Sequence, residues 1–223
     1  MTSSLIGITG YLQTGKDSVA RMLADFGYTK LAFADPLRQM ALAVDPVILL
    51  AGAPQDVKDA LRVTKQQPGR PVATLSSPVA VRYSVLLSTV GYERAKSVPD
   101  FRRFLQRLGT QGVRDVLGDL TWINAGMFCA QRVLRDGGKV VFSDVRFLNE
   151  AAAVRDAGGE VWRTVRPGYA GGDHRSETEL DEIIPDLVLE ADDLDQLGFC
   201  VLQALGEEFD AAKITEWKEA ILG

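Results

Sequence analysis

Gly7-Ile-Thr-Gly-Tyr-Leu-Gln-Thr-Gly-Lys-Asp17 is the stretch that decides the fold of this 223-residue chain. From Gly10 onward it fits the pattern G-x-x-x-x-G-K, whose glycines let the backbone turn tightly around a polyphosphate. An apolar pair precedes the stretch, and apolar residues recur at helical spacing between positions 19 and 26. The sequence therefore predicts a strand, a phosphate-binding loop and a helix in succession.

The phosphate loop supplies a set of candidate nucleotide-binding residues. They are Gly10, Gln13, Thr14, Gly15, Lys16, Asp17 and Ser18. Lys16 is expected to reach the terminal phosphates. Asp17 stands where most such loops carry the Ser or Thr whose hydroxyl binds Mg²⁺, and Ser18 follows it. The motif alone also fits a plain β-turn-α junction, but the strand, loop and helix stand in the order that phosphate binding requires.

The composition is that of an ordinary soluble protein, with 46% hydrophobic and 25% charged residues. Its length suits one α/β domain with an insertion, with two small domains as the alternative. The net charge of −5 argues against a broad nucleic-acid-binding face. No apolar run reaches the length of a membrane helix, and no secretion signal opens the chain. We expect a cytoplasmic protein with neither a membrane nor a nucleic acid polymer as partner, in which Cys129 and Cys200 are buried free thiols.

Two carboxylates follow predicted strands. Asp35 comes after the strand pattern 28–33 and begins a helix, so it is interpreted both as a helix cap and as a ligand contact. Asp144 ends the apolar strand that starts at Lys139, and such a carboxylate can hold Mg²⁺ or its water shell beside a phosphate loop. Arg146 adds a guanidinium two residues later.

The middle of the chain predicts an insertion. From Ala51 to Pro99 the pattern loosens around several prolines, which indicates a partly helical, mobile region. The range 99–114 predicts a helix with an apolar stripe. Arg103 and Gln106 lie off that stripe, and a solvated basic face is the alternative to a binding role for them.

The second half alternates helices with strands. Helices are predicted at 121–135, 148–157, 194–209 and 213–222, and strands at 160–165 and 186–190. The glycine-rich stretch from Arg166 to Glu177 predicts a lid, with a plain surface loop as the alternative. His174 is the only histidine, and a structural role is expected for it.

Several stretches together resemble the bacteriophage deoxynucleoside monophosphate kinases, a branch of the phosphate-loop kinases. They are Gly15-Lys-Asp17, Arg102-Arg-Phe-Leu-Gln-Arg-Leu-Gly-Thr110, Asp144-Val-Arg146 with Asn149-Glu150, Val165-Arg-Pro-Gly168 and His174-Arg-Ser-Glu177. They span residue 10 to about residue 180 in a shared order, whereas Ala51 to Pro99 matches nothing in that family.

The resemblance implies an α/β fold of the phosphate-loop nucleoside monophosphate kinase type, with a five-stranded parallel sheet flanked by helices. It also implies a single kinase domain over residues 1–223, with an acceptor-binding insertion at about 51–118 and a lid at about 166–180. The implied reaction transfers the γ-phosphoryl of ATP to a deoxynucleoside 5′-monophosphate in a host cytoplasm. Whether the protein forms a homodimer is left open.

The resemblance also assigns roles to residues. The implied catalytic residues are Lys16, Arg146, Arg166 and Arg175. The implied acceptor-binding residues are Asp35, Arg103, Gln106, Thr110, Arg146, Glu150 and Glu177. Asp17 and Asp144 would hold Mg²⁺ directly or through water.

Two other functions remain open at this point. A kinase of the same fold for another phosphorylated acceptor is the nearer, since phosphomevalonate kinases also resemble the Gly-Lys-Asp loop. A non-catalytic module that binds ATP without turnover is the farther.

Overall fold

The computed structural model describes residues 2–63, 79–169 and 175–222, apart from the side chains of Val63 and of residues 175–178. The chain forms two compact units. The first comprises Met1–Asp35 and Trp122–Gly223, and the second comprises Pro36–Thr121. The second unit contains the whole 51–118 range, whose role in acceptor binding stays a prediction.

Strands and helices alternate through most of the described chain. The strands are β1 Leu5–Thr9, β2 Tyr28–Leu31, β3 Val47–Leu49, β4 Ala80–Arg82, β5 Lys139–Phe142, β6 Glu160–Val165 and β7 Leu187–Glu190. The helices are α1 Lys16–Ala24, α2 Asp35–Val44, α3 Gln55–Val63, α4 Tyr83–Ala95, α5 Pro99–Arg107, α6 Asp115–Leu117, α7 Thr121–Arg135, α8 Leu148–Asp156, α9 Arg175–Glu182, α10 Leu194–Leu205 and α11 Ala211–Leu222. A π-helix, Leu108–Arg114, joins α5 to α6.

The first unit is built on a five-stranded sheet in the order β2-β5-β1-β6-β7. Every neighbouring pair of its strands is parallel. The central strand β1 is buried along its whole length, as expected for a parallel strand covered on both faces. Helices flank the sheet, so the predicted five-stranded parallel α/β architecture is confirmed.

The two faces of β1 enter two different cores. Ile6 and Ile8 pack into the cluster formed with α1, α10 and α11, whereas Leu5 packs into the cluster formed with α7 and α8. Gly7 has no room for a side chain, since a β-carbon there would lie 2.9 Å from Cγ2 of Val145. This alternation fixes the register of β1 and brings its carboxyl end to the phosphate loop.

The second unit has a small core of its own. Strands β3 and β4 form an antiparallel pair, with Val47 opposite Arg82. Beside it the rings of Tyr83 and Phe101 stack with centroids 5.0 Å apart. Burial is the main cause that raises the pKa of Tyr83 to about 12. The β3–β4 pair is a feature that the sequence did not predict.

Several predicted boundaries need correction. The helix predicted over 99–114 is α-helical only to Arg107 and continues as the π-helix. The helix predicted to reach Phe209 ends at Leu205, because Gly206 takes a left-handed conformation with φ 72° and closes it. Cys129 and Cys200 are free, as predicted, but they are half-buried instead of buried. None of the helices in the described ranges combines the length and the apolar character of a membrane span.

Candidate active site around the phosphate loop

The phosphate loop joins β1 to α1 in a backbone conformation that depends on its glycines. Gly10 and Gly15 have φ values of 142° and 95°. A β-carbon on Gly10 would lie 2.5 Å from the carbonyl oxygen of Thr164, and one on Gly15 would lie 2.7 Å from Cδ2 of Leu197. Gln13 also has a positive φ, of 65°. Side chains at the two glycine positions would therefore displace the loop from β6 and α10.

Hydrogen bonds hold the loop in place. The Lys16 ammonium donates to the carbonyl oxygen of Gly10 at 2.6 Å and also to that of Tyr11. The Thr14 hydroxyl donates to the Tyr11 carbonyl oxygen at 2.9 Å and lies 2.8 Å from the Thr164 hydroxyl. Because Lys16 stands at the first position of α1, its ammonium lies beside the positive end of that helix. Cation and helix terminus together suit a polyphosphate.

Asp17 and Asp144, the predicted Mg²⁺ ligands, already have protein partners. The Asp17 carboxylate pairs with the Lys30 ammonium at 2.6 Å, and its side chain is 81% exposed. The Asp144 carboxylate accepts hydrogen bonds from the backbone N–H of Phe33 at 2.8 Å and of Ala34 at 3.2 Å. Asp144 thus holds the segment between β2 and α2 against the end of β5.

A Mg²⁺ ion would have to be held mostly by phosphates and water. No cluster of three or more acidic, histidine or cysteine side chains suitable for a metal occurs in the described parts of the chain. Magnesium sites of phosphoryl-transfer proteins commonly use one or two carboxylates together with waters and substrate phosphates. A carboxylate has about four acceptor sites, so a carboxylate that accepts hydrogen bonds from the protein can still contact an ion or its water shell. Asp17 and Asp144 therefore fit Mg²⁺ in this limited way.

Two predicted acceptor-binding carboxylates accept hydrogen bonds from nearby backbone N–H groups. The Asp35 carboxylate accepts a hydrogen bond from the Ala32 N–H at 2.8 Å. Glu150 is only 6% exposed, and one of its oxygens accepts from the N–H groups of Arg146 at 2.7 Å and Phe147 at 3.2 Å. Glu150 thus shapes the segment that carries Arg146, and contact with a substrate stays a prediction.

The predicted lid begins beside the phosphate loop. The Arg166 guanidinium lies over the Tyr169 ring, 4.8 Å from its centroid. The Tyr11 hydroxyl donates to the Asp181 carboxylate, which connects the phosphate loop to α9. His174 and the side chains of Arg175 and Glu177 lie outside the described residues, so their predicted roles are not tested.

A cavity of about 370 Å³ opens beside the phosphate loop. Gly15, Ser18 and Arg166 line it, together with Leu197 of α10 and Lys218 of α11. Its size falls within the range of about 300–1,000 Å³ that is usual for small-molecule sites. The sequence predicted Gly15, Ser18 and Arg166 here but gave no signal for Leu197 or Lys218, which only the tertiary fold brings to the loop.

The second unit contains a cavity of about 480 Å³ on α5 and the π-helix. Arg103, a predicted acceptor-binding residue, lines it together with Arg107 and Gln111. The predicted residues Gln106 and Thr110 lie outside its lining as far as the chain is described, and both are exposed. Residues 103, 107 and 111 are spaced by four, which is the signal that could have identified this face.

No protein-family model matches the sequence. Over 197 residues the chain is 29% identical to a protein of Acanthamoeba polyphaga mimivirus that is provisionally named deoxynucleotide monophosphate kinase. The match covers 80% of this chain and 83% of the viral protein. The chain is thus a distant relative of that protein, and its parallel α/β sheet is consistent with a phosphate-loop kinase.

Proposed function

We propose that the chain is a kinase that transfers the γ-phosphoryl of ATP to a deoxynucleoside 5′-monophosphate. The observation that carries the proposal is the phosphate loop at the centre of a parallel sheet, with Lys16 at the start of α1. The distant relationship to the viral protein supports a nucleotide as the acceptor.

The loop would bind the donor's phosphates. The N-terminus of α1 supplies backbone N–H groups and a positive dipole end, and the Lys16 ammonium supplies a full charge. In the closed complex Lys16 would exchange its contacts with Gly10 and Tyr11 for oxygens of the β- and γ-phosphates. The nucleoside of the donor would extend from Gly15 into the adjoining 370 Å³ cavity.

Mg²⁺ would neutralise charge on the β- and γ-phosphates during transfer. Asp17 stands within the first turn of α1, and Asp144 follows the end of β5. Strand β5 pairs directly with β1, which leads into the loop. Both carboxylates would therefore act on the ion through its water shell or by direct contact.

The acceptor would bind through guanidinium groups, which match the geometry of phosphate oxygens. Arg103 and Arg107 in the second unit supply two such groups beside the half-buried ring of Phe104, against which a base can pack. In the first unit Arg146, whose backbone N–H donates to Glu150, and Arg166 are further candidates for contact with the transferring phosphoryl. Asp35, Gln106 and Thr110 stay candidate acceptor contacts.

The reaction needs no strong base, since the attacking group is an ionised phosphate oxygen. That oxygen forms a bond to the γ-phosphorus, the bond from the γ-phosphorus to the β,γ-bridging oxygen breaks, and the products are ADP and a deoxynucleoside diphosphate. Catalysis is then a matter of positioning and charge stabilisation. The segment from Arg166 to Glu177 would serve as a lid that keeps water from the γ-phosphoryl.

The test is an acceptor panel with purified protein, ATP and Mg²⁺. Deoxynucleoside monophosphates, ribonucleoside monophosphates and phosphomevalonate are supplied in turn, with one reaction lacking any acceptor, and ADP formation is followed by chromatography. The proposal predicts ADP together with a deoxynucleoside diphosphate. ADP formed only with phosphomevalonate would indicate that the chain is a kinase for that acceptor. ATP binding without turnover on any acceptor would indicate a non-catalytic binding module.

A further inference from the structure

The C-terminal helix α11 reaches the cavity beside the phosphate loop. Gly15 and Ser18 line the cavity on the side of the loop, and Lys218 and Leu222 line it from α11. These two α11 residues are four positions apart and therefore share one helix face. A ligand whose phosphates lie on the loop would thus extend towards this face of α11.

Helix α11 is held in a defined position. Ile214 and Trp217 are buried in the core, and the Trp217 indole N–H donates to the Asp25 carboxylate at 2.6 Å. The Arg21 guanidinium donates to the Ala220 carbonyl oxygen at 3.0 Å. Arg21 lies in the last turn of α1, and Asp25 caps its C-terminal end. The helix that begins at the phosphate loop therefore also anchors α11.

Helix α10 contacts both the loop and α11. Leu197 packs so tightly against Gly15 that the glycine has no room for a side chain. At the next residue, a β-carbon on Gly198 would lie 3.1 Å from Cγ1 of Ile214. The loop, α10 and α11 are therefore in continuous close contact around the cavity.

The α11 side of the cavity combines an apolar group with a cation. Leu222 offers an apolar surface. The Lys218 ammonium is bonded to the Asp195 carboxylate, and this bond is the main cause that raises the pKa of Lys218 above its ordinary value. Such a wall offers apolar contact together with a hydrogen-bond donor, which suits the flat face and the acceptor atoms of a nucleobase.

We propose that α11 is part of the donor-nucleotide site and that Lys218 and Leu222 contact the nucleoside of the bound triphosphate. This inference rests on the proposed function, since it takes the phosphate loop as the site of the donor's phosphates. It adds that the nucleoside is recognised by the C-terminal helix, so that donor affinity depends on residues about 200 positions after the loop.

The test compares ATP with inorganic tripolyphosphate, which has the phosphates but no nucleoside. Both are titrated into the full chain by calorimetry with wild type, Lys218→Ala and Leu222→Asp. Lys213→Ala is the matched control, because Lys213 lies on α11 over the Phe26 ring, 4.3 Å from its centroid, and outside the described lining of the cavity. Lys16→Ala serves as the control for phosphate binding, and thermal unfolding checks that each variant is folded.

Lys218→Ala and Leu222→Asp should each weaken ATP binding by about tenfold and leave tripolyphosphate binding within about twofold of wild type. Lys213→Ala should bind both ligands as wild type does. ATP affinity unchanged in both cavity variants but lost in Lys16→Ala would overturn the inference and leave the proposed function standing. Equal weakening of both ligands would also overturn it, because the contact would then be with phosphates. Wild type that binds neither ligand would contradict the proposed function itself.

Discussion

The hydroxyl groups of Thr14 and Thr164 lie 2.8 Å apart in the protein interior, so a hydrogen bond fixes the phosphate loop to strand β6. The Thr164 hydroxyl oxygen also lies 3.3 Å from the carbonyl oxygen of Thr9, where β1 ends. The conformation of the loop thus depends on a strand that lies about 150 residues later in the chain.

Replacing Thr164 by valine should remove this bond while keeping the shape of the side chain. We expect the free energy of unfolding to fall by about 1 kcal/mol and ATP binding to weaken several-fold, because the loop loses its link to β6. Thr9→Val is the matched control, since the Thr9 hydroxyl is buried without a hydrogen-bond partner among the described residues. Chemical denaturation and calorimetry measure both effects. If the free energy of unfolding falls equally in the two variants, the Thr14–Thr164 bond does not contribute to stability.

Asp17 is expected to act on Mg²⁺ and not only through its ion pair with Lys30. The pair is exposed, and such surface pairs contribute only about 0–1 kcal/mol. Asp17→Ala should therefore raise the Mg²⁺ concentration needed for half-maximal turnover, whereas Asp17→Ser should raise it less. Lys30→Ala breaks the same ion pair and should leave the Mg²⁺ dependence unchanged. Equal Mg²⁺ curves for Asp17→Ala and wild type would reduce Asp17 to a residue that favours the start of a helix.

Asp144 is expected to have two separable roles. Asp144→Asn removes one of the two oxygens that accept from Phe33 and Ala34, so the free energy of unfolding should fall by about 1–3 kcal/mol. The lost charge should also raise the Mg²⁺ concentration for half-maximal turnover. Thermal unfolding and a Mg²⁺ titration measure the two effects independently. Lower stability with an unchanged Mg²⁺ curve would show that Asp144 only holds the β2–α2 segment.

Variants of Glu150 can show whether its carboxylate has a structural role or binds the substrate. Glu150→Ala should lower the free energy of unfolding by about 1–3 kcal/mol, because two backbone N–H groups lose their acceptor. Glu150→Gln keeps one acceptor oxygen and should recover much of that loss. If Glu150 is only structural, the KM for the acceptor should change in each variant only as much as the free energy of unfolding does. A large rise in acceptor KM in Glu150→Gln at normal stability would instead place the carboxylate on the substrate.

The five-stranded sheet could be predicted from the sequence because its strands carry strong local signals. The runs that became β1 and β5 are mainly apolar, and the run that became β6 carries Val161, Trp162 and Val165 directly after two glycines. All three strands were predicted close to their observed limits. The β3–β4 pair was missed, since each strand has three residues and thirty residues separate Leu49 from Ala80. No short turn marks such a pair.

In the candidate site, too, features with a local sequence signal were predicted and features made by tertiary contacts were not. The glycine motif identified the loop, and its positive φ angles are found at Gly10 and Gly15. Contacts made only by tertiary packing could not be predicted, and Thr164 and Lys218 are of this kind. The carboxylate of Glu150 was predicted from a resemblance to meet a substrate, whereas its backbone hydrogen bonds depend on the local turn before α8.

Lys16 on the phosphate loop is expected to assist phosphoryl transfer between nucleotides. The most direct measurement follows the labelled γ-phosphate of ATP onto each deoxynucleoside monophosphate by thin-layer chromatography, with wild type, Lys16→Ala and Lys30→Ala side by side. We predict labelled deoxynucleoside diphosphate with wild type and Lys30→Ala, and a rate at least about 100-fold lower with Lys16→Ala. Labelled diphosphate formed equally by Lys16→Ala and wild type, or formed by none of the three, would contradict the account.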